Sequence, residues 1–323
     1  MILSLVILTS SLVLGFPLND DANSLEEPVV DLSYLGDRVF LKPDPETGKK
    51  LETWNVTSQE NPEELGEYAE GDIVFPKKSK NGMVATSFRW PGGVVPYEIG
   101  GYYSANDLEI INKAFSVYKK YTCVTFRPRV PSDEDYISIV SGRSGCWSSV
   151  GRIGGKQEVN LQSSSCTTKL GTPLHELMHA IGFLHEQSRY ERDDHITVLW
   201  QNIKKGHENN FDKAEKDKTS GFGVNYDYRS VMHYSSKAFS SNGQPTLVPK
   251  DKRFMEKIGQ RDGFSRGDIT KINAMYNCPE KTLEIVNRTG TIPNGTNTNT
   301  NKEKESSNPL LNAAAELFSL FIH

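Results

Sequence analysis

The chain has 323 residues, 37 Lys+Arg against 41 Asp+Glu, a net charge of −4 and a mean hydropathy of −0.52. That length suits one large domain or two small ones with a real core. No apolar run reaches the about 18 residues of a membrane span, which excludes an integral membrane protein, and the mild acidity argues against a nucleic-acid binder.

The first fifteen residues are apolar, close on small residues and are followed at once by Asn19, Asp20 and Asp21. This is the pattern of a secretory signal cleaved near Gly15, and it implies an extracellular protein. Secretion makes Cys123, Cys146, Cys166 and Cys278 candidates for two disulfides, with three pairings open. No CxxC pair is present, so a structural zinc knuckle is not expected. Asn55, Asn287 and Asn294 head sequons and are candidate glycosylation sites. Residues 17–80 carry 15 acids and 7 bases and are polar, Pro-punctuated and without sustained periodicity. They end in the basic run Pro76-Lys77-Lys78-Ser79-Lys80, either a solvated loop or the cleavage site of a propeptide.

Globular patterning begins near Trp90. Val94–Ile99 reads as a strand, and Ser104 with Asp107 forms a capping box ahead of Leu108, Ile111, Phe115 and Tyr118, one face of a helix ending near Tyr121. Val124–Arg127, Tyr136–Val140 and Glu158–Leu161 read as short strands. Thr172 as N-cap and Pro173 at the first helical position predict a second helix. Ser265 and Asp268 cap a third, with Ile269, Ile272 and Met275 as its apolar stripe. Together these predict an α+β enzyme body. Residues 280–323 are rich in Asn, Thr, Lys and Glu, with a short apolar end, and are expected to be a disordered tail.

Chemistry is concentrated in His175-Glu176-Leu177-Met178-His179-Ala180-Ile181-Gly182-Phe183-Leu184-His185. Two histidines four apart on a helix lie about 40° apart around its axis, so both imidazoles reach one point. Glu176 occupies the same turn and can hold a water there. Gly182 can take a positive φ and turn the chain, bringing His185 back to complete a three-nitrogen site. Three neutral His ligands with an open position are the donor set of catalytic zinc.

The stretch matches the metzincin pattern HExxHxxGxxH. His185-Glu186-Gln187-Ser188-Arg189-Tyr190-Glu191-Arg192-Asp193 resembles the astacin signature, with Glu191 where Asp is more usual. Ser230-Val231-Met232-His233-Tyr234 is similar to the astacin Met-turn, Trp90–Tyr97 to the family's opening strand, and Gly145-Cys146-Trp147-Ser148 to its disulfide-bearing loop. The resemblance spans residues 81–279. It implies a two-lobed metzincin-like body: a twisted N-terminal sheet with the active-site helix, then an irregular lobe with the Met-turn and a C-terminal helix. It also implies one Zn²⁺ per chain on His175, His179 and His185, with Glu176 as general base. Tyr234 becomes a displaceable fifth ligand and oxyanion donor, Met232 the apolar base under the metal, and Glu186 the partner of the mature N-terminus. The disulfides become Cys123–Cys278 and Cys146–Cys166. Substrate would pair with an edge strand around Gly151–Gly155 or Glu158–Leu161.

In astacin proenzymes the Asp of an F-x-G-D motif ligates the zinc. Ala69-Glu70-Gly71-Asp72 resembles it, with Ala in place of Phe, which makes Asp72 a candidate latency switch. The domain plan is then a signal peptide over 1–15, a propeptide over 16–80 cut after Lys80 by an activating protease, a catalytic domain over 81–279 and the tail over 280–323. The expected protein is a secreted, monomeric zinc endopeptidase acting on protein or peptide substrates, in a minimal form without adhesion modules. The alternative is a catalytically inactive astacin-like binding protein.

Overall fold

The computed structural model describes residues 30–31, 33–75, 84–85, 89–216 and 220–279. The expected signal peptide, the basic run ending at Lys80, the sequons at Asn287 and Asn294 and the tail lie outside the described residues.

The strands are β1 (Val30–Asp31), β2 (Val84–Ala85), β3 (Val94–Ile99), β4 (Thr125–Pro128), β5 (Tyr136–Val140), β6 (Cys146–Ser148), β7 (Lys156–Leu161), β8 (Ile196–Val198) and β9 (Leu247–Pro249). The α-helices are α1 (Pro45–Thr53), α2 (Ala105–Tyr121), α3 (Gly171–Ala180) and α4 (Arg266–Met275). The central sheet runs β4-β3-β5-β7-β6, parallel except for the antiparallel β6–β7 pair. β8 and β9 form a small antiparallel pair in the second lobe.

Local chemistry accounts for the helix starts. Ser104 and Asp107 close a reciprocal capping box on α2, and Ser265 and Asp268 do the same on α4, as the sequence predicts. α3 differs: it begins at Gly171, and no side chain caps it. Thr172, the expected N-cap, lies inside the helix and turns its hydroxyl towards Glu63 Oε2 at 3.3 Å. That long-range partner competes with the local cap.

The main core packs α2 and α3 on the sheet through Val95, Ile111, Phe115, Tyr118, Ile137, Val159, Leu174 and Leu177. α4 adds Ile269 and Ile272. A second core, around Phe211, Tyr234, Phe239 and Leu247, holds the C-terminal lobe. Disulfides join Cys123 to Cys278 and Cys146 to Cys166.

Residues 33–75 carry more structure than their composition suggests. Asp44 caps α1, its carboxylate accepting from the backbone of Glu46 and Thr47, and Pro45 opens the helix. Leu35, Val39, Ala69, Ile73 and Phe75 form a cluster with Val150, while Tyr68 and Val74 pack on Trp147. The segment therefore has its own buried apolar face, set by contacts with the body and not by any repeat within it.

Candidate metal centre

α3 is fixed along its length by groups that satisfy its carbonyls. The Tyr118 hydroxyl donates to Leu174 O at 2.9 Å, the Trp90 indole to Ala180 O at 2.8 Å, and the Tyr276 hydroxyl to Ile181 O at 2.8 Å. At the helix end, Gly182 has φ 110°. Its N–H reaches His179 O, and Phe183 N–H reaches Met178 O, the paired bonds of a glycine C-cap. The chain turns there, and His185 returns to the helix face. The imidazole centroids of His175, His179 and His185 lie 4.7–5.1 Å apart.

Each ring is aimed by its outer nitrogen. His175 Nδ1 meets Val231 O at 2.8 Å, His179 Nδ1 meets Phe183 O at 2.7 Å, and His185 Nδ1 meets Glu70 Oε2 at 2.5 Å. Those contacts leave the Nε2 atoms facing one another, 3.2 Å apart for His175 and His185. Asp72 completes the group: its Oδ2 lies 2.9 Å from His175 Nε2 and 3.2 Å from His185 Nε2, and its Oδ1 lies 3.5 Å from His179 Nε2. Two nitrogens on a tetrahedral zinc are about 3.4 Å apart, given Zn–N bonds of about 2.1 Å. His179 Nε2, Asp72 Oδ1 and both Glu176 oxygens are buried without a hydrogen-bond partner. Unpartnered buried donors and acceptors around one point are costly unless a further group serves them, and the three histidines with Asp72 fit one metal ion.

The electrostatics are those of a buried, charge-dense site. Burial lowers His175 to about 4. Burial also opposes charge on His185, but Asp72 and Glu70 raise its pKa to about 10. Burial works against ionisation of Asp72 too, yet His185 and His179 hold its carboxyl well below the usual range. Glu176 is pushed well above the ordinary carboxylate range, by burial first and then by Asp72 and Glu63.

The segment bearing Asp72 lies along the sheet edge. Ser148 N–H donates to Asp72 O at 2.9 Å, Val74 N–H donates to Ser148 O at 3.0 Å, and Ile73 bridges Ser148 in the parallel sense. This corrects the expected edge. Glu158–Leu161 is part of β7, flanked on both sides, and Gly151–Gly155 is loop; the edge strand beside the metal centre is β6. Gly71, with φ 87°, has no room for a side chain: a Cβ there would lie 2.8 Å from Phe239 Cζ.

The other sequence-predicted residues fall around this centre. Tyr234, buried in the second core, donates its hydroxyl to Glu70 O at 2.6 Å. Met232 is buried in the main core, and its carbonyl accepts from Glu186 N–H. Glu186 already has partners in the intact chain: Lys271, Arg189 at 3.0 Å and the Asp227 N–H at 2.8 Å. Asn55 is exposed, its side-chain oxygen accepting from Thr57.

Sequence reasoning missed five residues. Glu63 pairs with Arg261 in a fully buried ion pair beside the centre, and neighbouring Glu64 accepts from Ser235. Glu70 and Lys271 are the others. Lys271 had a legible signal, since it falls three residues after Asp268 and four before Met275 on the buried side of α4.

Comparisons with known proteins agree with this geometry. Residues 83–277 match the model of the astacin peptidase family. The chain is 47% identical over 190 residues to zinc metalloproteinase nas-15 of Caenorhabditis elegans, a match spanning 59% of this chain and 32% of that protein. It is 41% identical over 239 residues to zinc metalloproteinase nas-4 of the same organism, spanning 71% of this chain and 75% of that protein. Its fold is similar to that of high choriolytic enzyme 1, a hatching enzyme zinc-protease of Oryzias latipes, with a TM-score of 0.54 at 39% identity, covering 59% of this chain and 94% of that one. The chain thus spans between about a third and three quarters of the length of these curated relatives. With the three histidines, their acidic neighbour and the Met-turn in place, the chain belongs to the astacin family of zinc metallopeptidases.

Proposed function

We propose that the chain is the latent precursor of a secreted, monomeric zinc endopeptidase, with residues 1–15 a signal peptide, 16–80 a propeptide, 81–279 the catalytic domain and 280–323 a tail. The observation that carries this reading is Asp72, whose carboxylate lies 2.9–3.5 Å from the inner nitrogens of all three histidines. A carboxylate there occupies the position a catalytic water needs. Two disulfides support secretion, because such bonds persist in oxidising compartments. Among the described residues no helix is long and apolar enough to cross a membrane.

His175, His179 and His185 would hold the metal, which when bound acidifies a water and polarises a peptide carbonyl. Glu176, buried and unpartnered, would act as general base, taking a proton from the attacking water and returning it to the leaving amine. Burial and the neighbouring Asp72 and Glu63 carboxylates raise its pKa, and departure of Asp72 removes one of those charges. Tyr234, released from Glu70 O, is free to donate to the developing oxyanion. β6, released from residues 72–74, offers its backbone groups to an extended peptide.

Asp72→Ala in the uncleaved chain tests this. The variant is expected to hydrolyse casein where uncleaved wild type does not. An uncleaved variant as silent as wild type would mean that latency comes from steric cover of the cleft and not from the aspartate.

A further inference from the structure

The three histidines are not aimed alike. His175 and His179 rest on backbone carbonyls of the body, Val231 O and Phe183 O, whereas His185 rests on the side chain of Glu70, 115 residues earlier in the chain. Glu70 is 2% exposed, and its second oxygen is taken by the Ser188 hydroxyl at 2.8 Å. Its backbone has φ 46°, a region disfavoured for a residue with a side chain, and Gly71 follows at φ 87°. This left-handed pair makes the tight turn in which Gly71 N–H meets Tyr68 O and Ile73 N–H meets Ala69 O. In that turn Glu70 and Asp72 both reach His185, Glu70 at Nδ1 and Asp72 at Nε2.

We infer that Glu70 is a positioning residue of the metal centre that exists only while the propeptide is in place: its carboxylate fixes the His185 ring and makes Nε2 a stronger donor. A carboxylate on the outer nitrogen of a ligating histidine sets the tautomer and raises ligand basicity, and its loss typically weakens metal binding about 10–100-fold. The two acidic residues of this turn therefore have separate tasks, Asp72 at the open metal position and Glu70 behind the third ligand. The latent form then holds its metal more tightly than Asp72 alone would allow, and departure of the propeptide changes the environment of His185 as well as opening the site.

The inference rests on the zinc reading above. Its test uses the uncleaved full chain, verified by mass, as wild type, Glu70→Gln and Glu70→Ala, with His179→Ala as the control on the metal site. Zn²⁺ affinity is measured by competition with a chromophoric chelator, the visible bands of the Co²⁺-substituted proteins are recorded, and resistance of the propeptide to limited proteolysis reports its docking. The expected order of affinity is wild type, then Gln, then Ala, with Ala weaker by about 10–100-fold and the Co²⁺ bands shifted while the propeptide stays resistant. Gln keeps the size and an acceptor oxygen, so it gives an answer even if Ala undocks the turn. Affinity within twofold of wild type in the Gln and Ala variants, with unshifted Co²⁺ bands, overturns the inference; so does a loss seen only where the propeptide has become protease-sensitive. Wild-type zinc affinity in His179→Ala would instead end the zinc reading itself.

Discussion

Arg261 donates its Nε–H to Glu63 across 198 positions of sequence, and neither side chain has more than 1% of its surface exposed. Arg261 also reaches His233 O and Gln260 O through Nη1. The guanidinium belongs to the body and the carboxylate to the 33–75 segment, so the pair is a buried clasp between the two. Removing one partner of such a pair costs about 3–5 kcal/mol, because the other charge is left behind. Glu63→Ala is expected to loosen residues 33–75 by an amount of that order, read as their faster digestion by added protease at unchanged zinc content. Digestion at the wild-type rate would assign the docking energy to the apolar cluster around Val39 and Ile73.

The adjacent carboxylate gives the docking a pH dependence. Arg261 offsets one negative charge; Glu63 takes it and stays low, while burial, with Glu63 beside it, brings Glu64 up to about 7. Glu64 is raised above its ordinary value of 4.5, so the docked state binds the extra proton. Its contribution is fully present below about 4.5 and is lost as pH rises through about 7. The zinc-loaded precursor should resist limited proteolysis better at pH 5 than at pH 8, and Glu64→Gln should flatten that difference. A slope that survives in Glu64→Gln belongs to another group.

Glu176→Gln in the form trimmed to begin at Asn81 is expected to keep its zinc and its fold and to lose several orders of magnitude in rate, since a carboxamide cannot accept the proton. Tyr234→Phe should be milder, lowering kcat by about 10²-fold with KM little changed, as removal of one oxyanion donor does. Steady-state kinetics on a single peptide separates the two, and a pure KM effect in Tyr234→Phe would place the hydroxyl in substrate binding.

Glu186 is satisfied before any cleavage, by Lys271 and Arg189. Lys271→Met should therefore destabilise the intact chain, by up to about 3 kcal/mol with Arg189 still present. Urea unfolding at constant m-value measures it. If the ammonium freed at Asn81 reaches Glu186, trimming should stabilise Lys271→Met more than it stabilises wild type. Equal gains would mean that the new terminus docks elsewhere.

What the sequence made legible is what short-range chemistry decides. The histidine spacing, the Gly182 turn and the two Ser–Asp capping boxes are all written within eleven residues or fewer, and each stands where the pattern placed it. The misplaced features answer to distant partners. Thr172 left the cap for Glu63, and β6 displaced the expected edge because its three residues are too short to show an alternation of their own. Glu63, Glu64 and Glu70 are three of the fifteen acids in a polar stretch without sustained periodicity. Only the fold, which sets Arg261, Ser235 and His185 against them, distinguishes them from neighbours such as Glu52 on the surface.

The buried face of residues 33–75 has a kinetic consequence. Among the described residues, Leu35, Val39, Leu51, Tyr68 and Ile73 are buried in clusters shared with residues of the body such as Val150, Trp147 and Cys166. If the chain is cut at Lys80 as proposed, those contacts would hold the severed segment in place, and a tethered inhibitor would become a free one without being dislodged. Activity should lag behind the cut, rise with dilution as the severed piece dissociates, and fall again when that piece is added back in excess.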